Sequence, residues 1–275
     1  MSSSISNAEY QSFSLFLEQA CGITLGENKQ YLIASRLQKL MDSVGIDNLG
    51  ALVTRLEKGD SALRGKIVDA MTTNETLWFR DSHPYSILEN ELFPEVAKQR
   101  TRPVRIWSAA CSSGQEPYSM SIVAQEYGQK NPGALARDVE IVATDISKTI
   151  LEQARQARYD ELSLVRGMST ERRNRYFKQH DNIWELNNDI KRRVRFTELN
   201  LMQSFVSLGK FDIIFCRNVL IYFSADLKSD ILNRMAKQLQ PGGHLVLGSS
   251  ESITGHTDAF KMVRSGGAVY YQLIS

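Results

Sequence analysis

The sequence predicts an α/β fold: an open, mostly parallel sheet of the kind that binds nucleosides, preceded by a small N-terminal helical domain and carrying a small antiparallel β appendage. Three observations predict it. A buried-strand pattern at 104–108 runs into a small-residue loop and then into Glu116-Pro117 at a helix head, the layout in which open α/β sheets take a ligand at a strand's carboxyl end. From about residue 103 apolar β runs alternate with helical stretches, which implies parallel strands joined by crossover helices. Before that point helical periodicity is punctuated by glycine, and no strand pattern occurs.

In chain order, Phe13, Phe16, Leu17 and Ala20 recur at helical spacing before Gly22, Leu37, Leu40, Met41 and Val44 before Gly45, and Leu49, Leu52, Val53 and Leu56 before Gly59. Leu63, Ile67, Ala70 and Met71 run into Thr72-Thr73-Asn74. Glycine just past the last apolar position stops a helix, so four short helices are expected in an N-terminal domain, 1–80. The remainder, 81–275, should form the sheet domain, with strands at 104–108, 139–144, 194–198, 211–216 and 244–248. Runs such as FDIIFC and HLVLG lack strict alternation, as suits strands buried on both faces. Pro117 reads as the first helical residue, because its missing N–H would be unpaired there anyway. Gln240-Pro241-Gly242-Gly243 reads as a turn before the fifth strand. The runs 260–263 and 268–273 straddle Ser265-Gly266-Gly267 and read as a hairpin at the sheet edge. Between about 155 and 197 the alternation breaks, and NIWEL (182–186) reads as one strand of the appendage.

At 275 residues the chain has room for a large domain and a small one. No apolar run reaches the roughly 18 residues of a membrane span. The opening MSSSISNAEY has neither a basic nor an apolar signal region, so a cytoplasmic protein is expected. Cys21, Cys111 and Cys216 are far apart and form no CxxC, which suits free thiols in a reducing compartment. The four histidines are scattered without HExxH, and no metal site is expected. The net charge of +2 excludes nothing, but its distribution is uneven: residues 155–195 hold eleven Lys/Arg against six Asp/Glu. Such a segment is first a solvated surface and second a contact for an acidic partner.

The loop 109–114 has one glycine where a dinucleotide fingerprint has three. A pyrophosphate cofactor is disfavoured, and a nucleoside without phosphates fits better. Taken alone, Glu116 reads first as a helix-start carboxylate complementing the dipole, and second as a ligand group. Asp145, at the end of the second strand, reads first as a ligand, since one carboxylate there can accept both hydroxyls of a ribose. Arg80 follows a polar cluster at the junction of the two regions, and Tyr222 sits in the apolar run FCRNVLIYF. Singly, these two read as a surface ion pair and a core aromatic.

Together, TTNETLWFR (72–80), SAACSSGQEPYSM (108–120), ATDIS (143–147), LNL (199–201) and FCRNVLIYF (215–223) resemble the bacterial chemoreceptor glutamate methyltransferases of the CheR type. The likeness extends over nearly the whole chain. It implies a Rossmann-like class I S-adenosylmethionine-dependent methyltransferase sheet, S-adenosylmethionine as donor with S-adenosylhomocysteine as product, and receptor glutamates as acceptors. By motif, Asn74, Thr76 and Arg80 resemble the cofactor-contacting triplet before the first strand. Glu116 and Asp145 match the acidic ligands of the amino group and the ribose, Asn200 and Leu201 the pair flanking the adenine, and Arg217-Asn218 the cofactor-binding pair after the fourth strand. Gln115 stands where many relatives carry a second Glu. Some relatives also hold a receptor C-terminal pentapeptide on the appendage, which here would involve the loop Arg166-Gly167-Met168.

The chemistry agrees. A glutamate, with a pKa of about 4.3, is already a carboxylate at neutral pH and needs no general base. No His-centred acid–base set and no GxSxG nucleophile is evident. Catalysis is then expected from alignment and desolvation, with Arg80 and Tyr222 orienting the acceptor carboxylate. A nucleic-acid substrate is disfavoured, because amino-directed base methyltransferases place Asn/Asp-Pro-Pro-aromatic where this chain has Cys216-Arg217-Asn218-Val219. A cofactor-sensing module without turnover would not need Arg80, Asp145 and Tyr222 together. The expected partners are the cytoplasmic methylation helices of chemoreceptors, met by a monomer without membrane insertion. The resemblance implies a basic docking face on the second helix, about 27–44, where Arg36 and Lys39 are three apart and so share a face. The alternative is a solvated helix, in a region (1–80) with eight basic and nine acidic residues.

Overall fold

The computed structural model describes residues 5–99, 102–135 and 138–274. Four helices come first: α1 (Asn7–Cys21), α2 (Gln30–Val44), α3 (Leu49–Glu57) and α4 (Ser61–Met71). Side chains set their limits. Ser6 and Glu9 close a reciprocal capping box on α1, and Asn48 and Asp60 cap α3 and α4. Gly22 and Gly45 end α1 and α2 in left-handed backbone. The apolar faces meet in one core, in which Phe13, Leu17, Leu37, Leu52 and Ile67 are fully enclosed.

After the linking segment, α5 (His83–Ile87) passes through a π turn (Leu88–Leu92) into α6 (Phe93–Gln99). The sheet domain follows with β1 (Val104–Ala109), α7 (Gln115–Lys130), β2 (Val139–Asp145) and α8 (Lys148–Gln156). The appendage comes next: β3 (Arg158–Asp160), α9 (Glu161–Val165), α10 (Thr170–Tyr176), β4 (Phe177–His180), β5 (Ile183–Leu186) and α11 (Asn188–Lys191). The chain then returns through β6 (Val194–Glu198), β7 (Phe211–Cys216), α12 (Ala225–Gln238), β8 (Leu239–Leu247) and the hairpin β9 (Phe260–Ser265) and β10 (Ala268–Leu273).

The main sheet has the order β6-β2-β1-β7-β8-β10-β9. The five strands from β6 to β8 are parallel, and β10 is antiparallel to both its neighbours. All six residues of β7 are buried, as its unbroken apolar run requires of a central parallel strand. The chain leaves β1 for β2 on one side and comes back to β7 on the other, so the strand order reverses at β1. That is where open sheets leave a crevice at the carboxyl ends of their strands. A separate antiparallel sheet, β3-β5-β4, makes the appendage. No helix among the described residues is long and apolar enough to cross a membrane.

Two local expectations are corrected. Helix α7 begins at Gln115 after a left-handed Gly114, so Pro117 is its third residue; in the first turn its missing N–H costs as little there. Gln240-Pro241-Gly242-Gly243 is an irregularity inside β8, not a turn before it. Phe211 pairs with Leu239 and Ile213 with His244, so the extra residues bulge out opposite Asp212.

Candidate active site

The reversal point opens into a cleft of about 920 Å³, taken out to open solvent. Asn74, Thr76, Arg80, Glu116, Asp145, Asn200, Leu201, Arg217, Asn218 and Tyr222 all line it. Five separated stretches of sequence thus converge, because the parallel strands carry their carboxyl ends to one edge. Along that edge Asn200 and Leu201 follow β6, Asp145 ends β2, Glu116 opens the helix after β1, and Arg217 to Tyr222 follow β7.

The loop after β1 is wound tightly, with Ala110 and Ser112 at φ of +59° and +49°. Non-glycine residues in left-handed backbone cost energy and persist where surrounding contacts over-determine them. Here the Ser112 N–H donates to Asp145 Oδ2 at 2.8 Å, and the Ser112 hydroxyl donates to the Asn74 carbonyl at 2.9 Å. Asp145 Oδ1 accepts from the Ser147 N–H at 3.0 Å. Burial pushes the Asp145 carboxyl above the usual range, opposed by the backbone N–H groups of Ser147, Ser112 and Ile146. Each of its oxygens keeps a lone pair beyond the backbone bond it accepts.

Glu116 and Arg217 form the most buried charged pair of the cleft. Glu116 accepts from the Ser108 hydroxyl at 2.7 Å and from Arg217 Nη1 at 3.2 Å. Arg217 Nη2 also donates to Asp81 at 2.6 Å and to the Arg80 carbonyl at 3.0 Å. Its side chain is 1% exposed, and its Nε–H is buried without a partner. Burial raises the Glu116 pKa, with Arg217 opposing. Arg217 therefore lines the cleft with its guanidinium already committed to two carboxylates and a carbonyl; what it fixes is the position of Glu116 and of the strained turn 79–82. Asp81, which sequence reasoning missed, sits beside Arg80 and completes that network.

The helical domain supplies the remaining wall through Cys21 and Ile23. Asn200 Nδ2 donates to the Ala20 carbonyl at 2.9 Å. Thr24 donates to the Tyr222 carbonyl through both its N–H, at 2.9 Å, and its hydroxyl, at 3.0 Å. Glu251, also missed, receives the backbone N–H groups of the turn after β7. A lone acid just past a strand's end was the one signal that could have found it.

The docking pair divides. Lys39 is exposed, whereas Arg36 is half-buried and donates to the Met71 carbonyl at 2.5 Å and to the Thr73 hydroxyl at 2.9 Å. Arg36 thus closes the carboxyl end of α4 beside the cleft and is not free surface charge. The basic segment 155–195 is likewise neutralised in place. Eight of its eleven cations pair with carboxylates, among them Arg172 with Glu126, Arg173 with Glu161 and Arg193 with Asp138. That leaves a largely self-paired surface, on which Arg158, Arg175 and Lys178 are the cations outside those pairs.

The cleft offers two enclosed carboxylates, and among the described residues its loop 109–114 carries no Lys or Arg. Such a donor set fits a nucleoside carrying a diol and an ammonium group, and fits a polyphosphate poorly. Residues 74–269 match the family model described as CheR methyltransferase, SAM binding domain, and residues 8–72 match CheR methyltransferase, all-alpha domain. The chain is 50% identical over 272 residues to chemotaxis protein methyltransferase Cher2 of Pseudomonas putida, covering 98% of this chain and 99% of that protein. It is 52% identical over 271 residues to chemotaxis protein methyltransferase 1 of Vibrio cholerae, covering 98% of each.

Proposed function

We propose that this chain, which belongs to the CheR methyltransferase family, transfers the methyl group of S-adenosylmethionine to glutamate side chains on the cytoplasmic methylation helices of chemoreceptors, leaving glutamate methyl esters and S-adenosylhomocysteine. The observation that carries this reading is the polarity of the cleft. Its β2–β1 side presents Asp145 and Glu116, suited to a diol and an ammonium. Its β7 side presents Tyr222, with Arg80 from the strained turn, suited to an incoming carboxylate, and Asn218 between that side and the cofactor.

When bound, S-adenosylmethionine supplies a methyl group already activated on a sulfonium. The protein's own task is to bind, align and keep water out. Asp145 holds the ribose hydroxyls while Ser112 and Ser147 fix its plane. Glu116, locked by Ser108 and Arg217, holds the amino group. Arg80 and Tyr222 orient the acceptor carboxylate, which is anionic at neutral pH and attacks without a base. Alignment of this kind can supply a large share of a rate enhancement. Removing water from both ions strengthens each contact.

The enzyme works in the cytoplasm as a monomer. It meets its receptor through the exposed face of α2 at Lys39, where clustered receptor glutamates would raise the encounter rate. The test is transfer of labelled methyl from S-adenosylmethionine to a panel of receptor cytoplasmic domains. Label on at least one domain, lost when its methylatable glutamates are replaced by alanine, is the expected result. Label that persists after those replacements would refute the glutamate assignment.

A further inference from the structure

Beyond the cofactor and acceptor groups, the structure holds a carboxylate with an unusual set of donors. Glu251 lies on a tight turn just past β8, its own N–H donating to the Gly248 carbonyl at 3.0 Å. Its Oε2 accepts the Asn218 N–H at 2.7 Å and the Gly248 N–H at 2.8 Å. Its Oε1 accepts the N–H groups of Val219, Leu220 and Ile221 at 3.0, 2.8 and 3.3 Å. One side chain thus gathers every backbone N–H from Asn218 to Ile221 and ties them to the neighbouring strand's end. The approach is so close that a Cβ on Gly248 would fall 2.7 Å from Glu251 Oε2 and 2.9 Å from the Asn218 nitrogen.

The segment so held is the acceptor side of the cleft. Asn218 stands in left-handed backbone, at φ of +58°, immediately after β7. Tyr222 closes the 3₁₀ turn Leu220–Tyr222, with its carbonyl pinned from the opposite side by Thr24. Within the run the Tyr222 N–H donates to the Val219 carbonyl at 3.2 Å, while the N–H groups of Asn218 to Ile221 turn to Glu251. A turn with four consecutive N–H groups facing one way needs an anion to face them, as a helix start does.

We infer that Glu251 is a positioning residue, which sets Tyr222 against the acceptor carboxylate by clamping the backbone of 218–221; this rests on the methyl-transfer reading given above. Glu251 touches neither cofactor nor acceptor in this account and acts only through the turn. Displacement of reacting partners by about 1 Å costs on the order of 100-fold in rate. Loss of the clamp should therefore lower turnover while leaving the ligands on β1 and β2 in place.

The test uses Glu251→Gln in the full chain. An amide has one acceptor oxygen and would turn N–H groups toward N–H groups. Wild type is assayed first on receptor domains, so that failure of the methyl-transfer reading itself is seen before any variant is read. The expected result is a kcat lower by roughly 10- to 100-fold, with the KM for receptor, the dissociation constant for S-adenosylhomocysteine and its binding stoichiometry within about threefold of wild type. Gly248→Ala, which displaces the same carboxylate, should reproduce that split. Turnover equal to wild type in folded Glu251→Gln overturns the inference. So does a loss of kcat matched by an equal loss of binding stoichiometry, or failure of both variants to fold, since either would make Glu251 a residue of stability alone.

Discussion

Replacing Asp145 with alanine should weaken S-adenosylhomocysteine binding by roughly 10- to 100-fold. The carboxylate is 6% exposed at the end of β2, and its orientation is set by Ser112 and Ser147, whose N–H groups lie 2.8 and 3.0 Å from its two oxygens. Each oxygen has two acceptor directions, so one on each remains for a ribose hydroxyl. A hydrogen bond to a charged group is worth about 1.5–3 kcal/mol, and each 1.4 kcal/mol is tenfold in affinity. The lower end corresponds to loss of one such bond with a water taking the place of the other. The upper end corresponds to a cleft that cannot rehydrate the freed hydroxyls. Alanine also releases two backbone N–H groups, so part of the loss comes from relaxation of the 110–114 loop. Calorimetry with the product as ligand measures the change without turnover, and the fitted stoichiometry separates weaker sites from fewer folded molecules. An unchanged dissociation constant in a folded Asp145→Ala protein would remove this residue from the site and with it the assignment of the β2 side to the ribose.

Arg217→Ala should destabilise the fold by about 3–5 kcal/mol, measured by urea unfolding, because it strands the buried Glu116 carboxylate without its cation; Arg217→Lys should recover little, since one ammonium cannot reach both carboxylates and the Arg80 carbonyl in the guanidinium's geometry. Burial raises the pKa of Glu116 above the ordinary carboxylate range. Its anionic form, which the amino group needs, is therefore lost on acidification at a higher pH than for an exposed glutamate. Affinity for S-adenosylhomocysteine should fall as pH drops toward that raised pKa, a dependence that is blunted in Glu116→Gln. Lys39→Glu should raise the apparent KM for receptor, more so at low salt, with cofactor binding intact. Arg36→Glu should in addition weaken cofactor binding, because Arg36 braces the segment 71–73 that leads into Asn74.

A strand buried on both faces writes itself into the sequence, and for that reason 211–216 was legible to the residue; the edge strand 194–198, with no fully buried residue, was legible to the same bounds without that signal. Two strands of the appendage, Arg158–Asp160 and Phe177–His180, were not. They are three and four residues long, bury a single side chain each, and are strands only because Ile183–Leu186 lies between them. Pro241-Gly242-Gly243 carries the composition of a turn, and only pairing across to β7 makes it a bulge. In the site, Asp145 could be read from its place at a strand end, whereas Asn74, Thr76 and Asn200 carried no chemical signal of their own and were legible through resemblance. What no pattern could convey is commitment. Arg217 and Arg36 look like available cations in sequence and are occupied in the fold, and Glu251 matters through five backbone N–H groups that have no side-chain signature.

The most direct measurement is of the chemistry of the transferred group. Receptor domains labelled by this protein with tritiated methyl from S-adenosylmethionine would be treated with mild alkali and the volatile fraction counted. Attack by a carboxylate oxygen makes an ester, so the label should leave as methanol. Label that stays on the receptor through that treatment would mean that nitrogen or sulfur was methylated, and the reading of this cleft as a glutamate methyl-ester site would be wrong.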